Sequence, residues 1–251
     1  MSLVNEAYGD DICTLTLNRP EKKNAMSLEL LEELYHSLQR AGEKKASLIV
    51  IRGSSKTFCA GGDVIQFMES PQPGAKVDSM ADYLNRSIVL IRRTAAIVIA
   101  VVEGLAVGAG MSLCLACDLT IAERRASMSM AYRKIGLTPD GGGSFFLPRL
   151  INMQRFNELY FLSRSITMEE AKEMGIVNMV VDEGELEDKL ARLVADLKAL
   201  PMETIQKAKE LVNLSLWQGL STHLDRERLY VSQFSNEPRF QERLRKLFKK
   251  G

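Results

Sequence analysis

"VEGLAVGAGMSLCLACDLTIA", residues 102–122, places three glycines in front of an unbroken apolar stretch and then resumes with a short β-like run. A membrane span needs about 20 consecutive apolar residues. The apolar run of 95–117 is interrupted by Glu103, Gly104, Gly108 and Gly110 before it reaches that length. It therefore predicts a buried strand ("IVIAVV", 97–102), a glycine turn, a helix apolar on every side and a further strand at "DLTIA". An element apolar on all faces belongs inside a large core, which places this segment at the centre of the fold.

The same strand-then-helix order extends outward in both directions. "ICTLTLNRP" (12–20) alternates, with Cys13, Leu15 and Leu17 on one face, and ends in a turn at Asn18-Arg19-Pro20. Ser27 is a candidate N-cap for "LELLEELYHSLQRA", whose Leu30, Leu31, Leu34 and Leu38 recur at helical spacing. "SLIVIRG" (47–53) reads as a buried strand, and "VNMVV" (177–181) as the last one. Between them, Thr167-x-x-Glu170 forms a capping box for a helix closed by Gly175. Strands alternating with helices imply an α/β fold. From residue 183 onward the chain is amphipathic helix, broken only at Pro201, Gly219 and Pro238. The expected organisation is thus an α/β core over 1–182 and a helical region over 183–251. Leu211, Leu214, Trp217 and Phe234 in that region exceed what an exposed arm tolerates, so part of its apolar face is expected against a neighbouring subunit.

Composition removes several classes of function. With 33 basic and 32 acidic residues the net charge is +1, so no global field gathers nucleic acid or an anionic membrane. Any anion must be held locally. Cys13, Cys59, Cys114 and Cys117 are too few and too irregular for a disulfide framework, and the Cys114-x-x-Cys117 pair lies in an apolar run without a nearby histidine. Buried packing in a reducing compartment is expected, with no metal. The opening residues carry no basic, apolar leader, and the expected location is cytoplasmic.

Two glycine loops carry the chemistry. "TFCAGGDV" (57–64) follows the strand "SLIVIRG", and Gly108-Ala109-Gly110 leads into the buried helix. Small residues let backbone N–H groups approach a ligand, and a helix start offers unpaired donors. Two such donors aimed at one carbonyl oxygen make an oxyanion hole. A third segment, "GLTPDGGGSFFLPRL" (136–150), sets Asp140 between Pro139 and three glycines ahead of an apolar stretch. The local pattern fits a helix N-cap as well as it fits a catalytic acid.

"NRPEKKNAM", "FCAGGD", "VEGLAVGAGMSLCLACDLTIA", "GLTPDGGGSFFLPRL" and "EEAKEMGIVNMVV" follow one another as in the crotonase (enoyl-CoA hydratase/isomerase) superfamily, which this chain resembles over its whole length. The resemblance implies a crotonase-like β-β-α spiral core with a C-terminal helical trimerisation region. It also implies acyl-CoA thioester substrates, coenzyme A being part of the substrate with no further cofactor. The unit would be a homotrimer or a dimer of trimers. Carried over by position, the oxyanion donors are Gly62 and Ala109, and Lys22, Lys23, Ala25, Ala60, Gly61, Asp63, Val64 and Ile65 form the coenzyme A cradle. Gly108, Ser112, Tyr132 and Pro139 fall around the acyl group. Hydratases similar to this chain carry two glutamates where Ser112 and Tyr132 stand here.

Hydration divides its work between two carboxylates that orient a water and separate acid from base. Moving a double bond needs only one, and isomerases of the superfamily place an Asp or Glu at the position of Asp140. The expected activity is Δ3-Δ2-enoyl-CoA isomerisation with Asp140 as the base. A hydratase using Asp140 with Tyr132, a hydrolytic dehalogenase with Asp140 as nucleophile, and a non-catalytic acyl-CoA-binding paralogue are the alternatives. Tyr132 is expected to line the acyl pocket rather than bond Asp140, and Phe145 and Phe146 to shape that pocket from behind.

Overall fold

The computed structural model describes residues 2–248. In the N-terminal part, β1 (Val4–Gly9) and β2 (Ile12–Leu17) are followed by α1 (Leu28–Glu43), β3 (Leu48–Gly53), α2 (Val64–Glu69) and α3 (Pro73–Arg93). β4 (Ile97–Val102), β5 (Leu105–Val107), α4 (Ala109–Ala116), β6 (Leu119–Glu123) and β7 (Ser127–Ser129) form the middle. Next come α5 (Gly143–Ile151), α6 (Met153–Phe161), β8 (Ser165–Thr167), α7 (Met168–Glu173) and β9 (Met179–Val181). The chain closes with α8 (Leu186–Lys198), α9 (Met202–Leu216), α10 (Leu220–Ser235) and α11 (Pro238–Phe248).

Six strands form one sheet in the order β1-β2-β3-β4-β6-β9, antiparallel at β1/β2 and parallel elsewhere. A second sheet has the order β5-β7-β8. β1 is not marked in the sequence because its tie to β2 is Asp10-Asp11, both at positive φ and directly after Gly9, rather than the Asn-Gly or Asp-Gly order typical of a two-residue hairpin.

Both faces of the large sheet are covered, which is why β3 and β4 are apolar without alternation. Ile49, Ile51, Val98, Ala100 and Val102 join the main core with α1 and α3, while Val50, Ile99, Val101 and Ile121 meet Leu186 of α8 on the opposite face. Ser27 caps α1 by accepting from Leu30 N–H, and the Thr167/Glu170 box caps α7, as their spacing predicts. No described helix is long and apolar enough to cross a membrane.

The C-terminal helices dock on the core through polar contacts that periodicity does not reveal. Lys209 on α9 is buried, and its ammonium donates to Ile91 O (3.0 Å), Ala96 O (2.7 Å) and Asp118 Oδ2 (2.7 Å). Arg92 pairs with the other oxygen of Asp118 at 2.9 Å. Every donor of the buried ammonium thus has an acceptor, which offsets its loss of water. α10 lies along α3, where Arg228 pairs with Asp78 at 2.7 Å and with Asp82.

Candidate active site

The two glycine loops are fastened side by side. Phe58 N–H donates to Glu103 O (2.8 Å), Cys59 N–H to Leu105 O (2.8 Å), and Val107 N–H to Cys59 O (3.0 Å). Gly110 makes this approach possible, since a Cβ there would lie 2.8 Å from Cys59 O. Gly108 N–H donates to Ser129 O (2.8 Å), and its φ of 52° turns the chain into α4. Ala109 is the first residue of that helix, so its N–H has no intrahelical acceptor. On the other loop Met26 N–H donates to Gly61 O (2.8 Å) and Asp63 N–H to Met26 O (2.9 Å), which leaves the amide of Gly62 between them. Among the described residues neither the Gly62 nor the Ala109 amide has an acceptor.

Gly62 and Ala109 both line one cavity of about 210 Å3, which Val64, Phe67, Val77, Ile135, Leu137 and Val231 make largely apolar. Among the described residues Asp140 is the one carboxylate in that wall. A larger cavity of about 740 Å3, between the end of α3 and α9, includes neither loop and none of these residues.

Asp140 caps no helix. α5 starts at Gly143 behind Gly142, with no side-chain cap from its own segment. Its first amides are held instead by Glu227 of α10, which accepts from Gly142 N–H (2.7 Å) and Ser144 N–H (2.9 Å). Asp140 Oδ1 accepts a hydrogen bond from the Tyr132 hydroxyl at 2.7 Å. Burial pushes the Asp140 carboxyl up to about 7; the Tyr132 hydrogen bond opposes that rise and the charge of Glu227 adds to it. At neutral pH it is therefore divided between acid and carboxylate.

Tyr132 both lines the cavity and bonds Asp140, which corrects the expectation that it would only line the pocket. Burial, first, and the charge of Asp140 raise its phenol well above the ordinary range, so it stays a donor. Ser112 Oγ lies 3.0 Å from the same hydroxyl. Because the phenol has one proton and gives it to Asp140, Ser112 supplies the second donor, in a relay from Ser112 through Tyr132 to Asp140.

Gly61, Gly62, Val64, Gly108, Ala109, Tyr132 and Asp140 come together at the cavity with Ala60. Ser112 is fully buried behind Tyr132 and does not reach the cavity, and Pro139 is likewise buried outside its wall. Asp63 turns away: it caps α2 by accepting from Ile65 N–H (3.0 Å) and Gln66 N–H (3.3 Å), and pairs with Arg19 at 2.6 Å. Ile65 also lies outside the wall. Lys22 and Lys23 are exposed beside the half-buried Ala25 on the turn after Pro20, joined to the site where Ala60 N–H donates to Lys23 O at 3.1 Å. Phe145 and Phe146 pack against Trp217, at 5.7 and 5.1 Å between ring centres, and not on the cavity. α5 turns both rings inward to the core, where its apolar face must go. Cys114 is buried, and burial raises the thiol of Cys117 to about 12, in keeping with packing.

The sequence pattern of enoyl-CoA hydratase/isomerase matches residues 8–250. The chain belongs to that family. It is 33% identical to 1,2-epoxyphenylacetyl-CoA isomerase of Escherichia coli (strain K12) over 225 residues, covering 87% of this chain and 85% of that protein. It is 30% identical to 4-chlorobenzoyl coenzyme A dehalogenase-2 of Arthrobacter sp over 247 residues, covering 96% and 88%. An enoyl-CoA hydratase from Mycobacterium avium subsp. paratuberculosis K-10 superimposes with a TM-score of 0.90 at 26% identity, covering 98% of each chain. The enoyl-CoA hydratase/isomerase fold is thus shared across isomerase, dehalogenase and hydratase names. Only the site separates their chemistries.

Proposed function

We propose that this protein is an enoyl-CoA isomerase that moves a double bond from C3=C4 to C2=C3 of an acyl-CoA thioester, with Asp140 as the single proton-transferring acid. The observation that carries this reading is that one carboxylate, Asp140, lines the same cavity as Gly62 and Ala109, whose amides have no acceptor among the described residues, with Ser112 and Tyr132 where a hydratase would place glutamates. The thioester oxygen would accept from Gly62 and Ala109 N–H. Asp140 removes a proton from C2, the negative charge spreads over a dienolate onto the oxygen held by the amides, and the protonated Asp140 returns the proton at C4. A group that must act first as base and then as acid works best with its pKa near the working pH, and burial places Asp140 at about 7. Coenzyme A would lead out past Ala60 toward Lys22, Lys23 and Ala25, with its acyl end inside the apolar wall.

The test is a direct competition. A short 3-enoyl-CoA is expected to isomerise at least about 100-fold faster than crotonyl-CoA is hydrated, because hydration lacks the second carboxylate that general acid–base division supplies. Faster hydration would favour the hydratase reading, and a covalent aryl ester of Asp140, formed with release of halide from a halogenated aryl-CoA, would favour the dehalogenase. Tyr132→Phe is expected to lower turnover at pH 7 about tenfold. It removes the hydrogen bond that favours the carboxylate, so the acidic limb of the pH profile should move to higher pH.

A trimer is part of the same proposal. Leu211, Leu214 and Leu216 on α9 are 67%, 60% and 55% exposed, more apolar surface than one helix of a monomer usually leaves to water. Sedimentation equilibrium should return three or six times the 28.0 kDa chain mass.

A further inference from the structure

Glu227 is 5% exposed and comes from the C-terminal helical region, 85 residues beyond the amide of Gly142 that it holds. A carboxylate loses several kcal/mol when taken out of water unless its lone pairs are satisfied. Here the satisfaction comes from the start of α5: Gly142 N–H, Ser144 N–H and the Ser144 hydroxyl all donate to it. The positive end of the helix adds to the attraction. No Lys or Arg pairs with Glu227 among the described residues; its sole titratable neighbour at ion-pair distance is His223 on its own helix, Nε2 to Oε1 3.5 Å.

The neighbouring elements are otherwise occupied. On α10 itself Arg228 is turned to Asp78 and Asp82 of α3. Arg149 of α5 donates to Phe145 O at 2.6 Å, and Arg243 of α11 lies against Gly136. Lys134 shares the cavity wall with Asp140, yet makes no ion pair with it, and the groups bonded to Asp140 are those of Tyr132 and the Gly143 amide. Residue 142 cannot cap the turn itself, since its φ is 82° and a Cβ there would lie 2.4 Å from the Phe146 ring, so the donors at the start of α5 take their acceptor from another element. One turn farther along α10, Val231 enters the cavity wall, so one helix both fixes the turn and closes the site.

We infer that Glu227 is a positioning residue for Asp140: it clamps the 140–144 turn from the C-terminal region and keeps an unneutralised negative charge beside it. The inference rests on the reading of Asp140 as the proton-transferring acid. Its charge opposes ionisation of Asp140, and its clamp sets where the carboxyl points. A cap placed by another element also ties the geometry of the acid to the docking of α10, so the site is complete only when the C-terminal helices are seated.

The experiment titrates the carboxyl carbon of Asp140 by 13C NMR, assigned with Asp140→Asn, in the wild type, Glu227→Gln and Glu227→Asp. The midpoint should fall in the order wild type, Glu227→Asp, Glu227→Gln, the last by on the order of half a pH unit or more. Turnover should fall in the same order, to about a tenth in Glu227→Gln, with KM within about twofold. If Glu227→Gln does not fold, Glu227→Asp carries the test, because it keeps the charge and draws it back from the turn. A lowered melting temperature with an unmoved midpoint and unchanged turnover would overturn the inference, leaving Glu227 a structural cap. If the midpoints shift in order while the wild type shows no isomerisation, the positioning role stands and the proposed function fails. If Asp140→Asn abolishes isomerisation while the Glu227 variants titrate like wild type, the function stands and this inference fails.

Discussion

Asp140→Asn is expected to lower turnover of a 3-enoyl-CoA by about 1,000- to 10,000-fold with KM changed only a few-fold, since it removes the proton carrier and keeps the shape. Asparagine still offers an oxygen to the Tyr132 hydroxyl, so the wall of the cavity should persist. The same substitution should make the protein more stable above neutral pH. The folded carboxyl titrates at about 7 against 3.8 when unperturbed. Between those values the folded chain retains a proton that the unfolded chain has lost, so stability falls as pH rises through this window and stays reduced above it. Removing the ionisable group should therefore recover up to about 4 kcal/mol at pH 8 and nothing at pH 3. Thermal melts of both proteins at the two pH values check this directly. Lost activity with gained stability is what a buried functional acid produces; a helix cap would produce lost stability with activity retained.

Ala109→Pro should be nearly as damaging, by a different route. Ala109 is the first residue of α4, where proline fits the helix because the N–H it lacks has no intrahelical partner. The substitution deletes the amide of one of the two cavity-lining residues proposed as oxyanion donors and puts ring carbons in its place. Loss of one oxyanion donor typically costs about 100- to 1,000-fold in turnover. Steady-state kinetics should show kcat falling by that amount while the far-UV circular dichroism spectrum stays that of the wild type. A variant with full activity would place the thioester oxygen elsewhere.

Much of this site could be read before the fold was seen, because its parts are local. The strand-glycine-helix passages at 57–64 and 103–113 mark where backbone amides are left unpaired, and the order Pro139-Asp140-Gly141 marks a carboxylate at a turn. What Asp140 does was not legible, since a capping aspartate and a catalytic one look the same in a single segment. The decision lies in Glu227, which takes over the cap from 85 residues away. Glu227 lies on the stripe Leu220, Leu224, Glu227, Val231 of α10, a helical spacing that puts it on the buried face but does not say which amides it meets there. The same reason hid Lys209, whose three acceptors come from the ends of α3 and β4 and from Asp118. The bond of Tyr132 is hidden for a related cause: an aromatic among apolar residues predicts packing, and its polar end finds a partner only when the turn at 140 folds back over it. Periodicity reports which face of an element is buried. It does not report which distant polar atom waits there.

A crystal structure with a non-isomerisable acyl-CoA bound tests the central claim most directly. The account predicts the thioester oxygen about 3 Å from both the Gly62 and the Ala109 nitrogens, with C2 and C4 of the acyl group against Asp140. A thioester oxygen hydrogen-bonded to neither amide, or an acyl chain running away from Asp140, would contradict it.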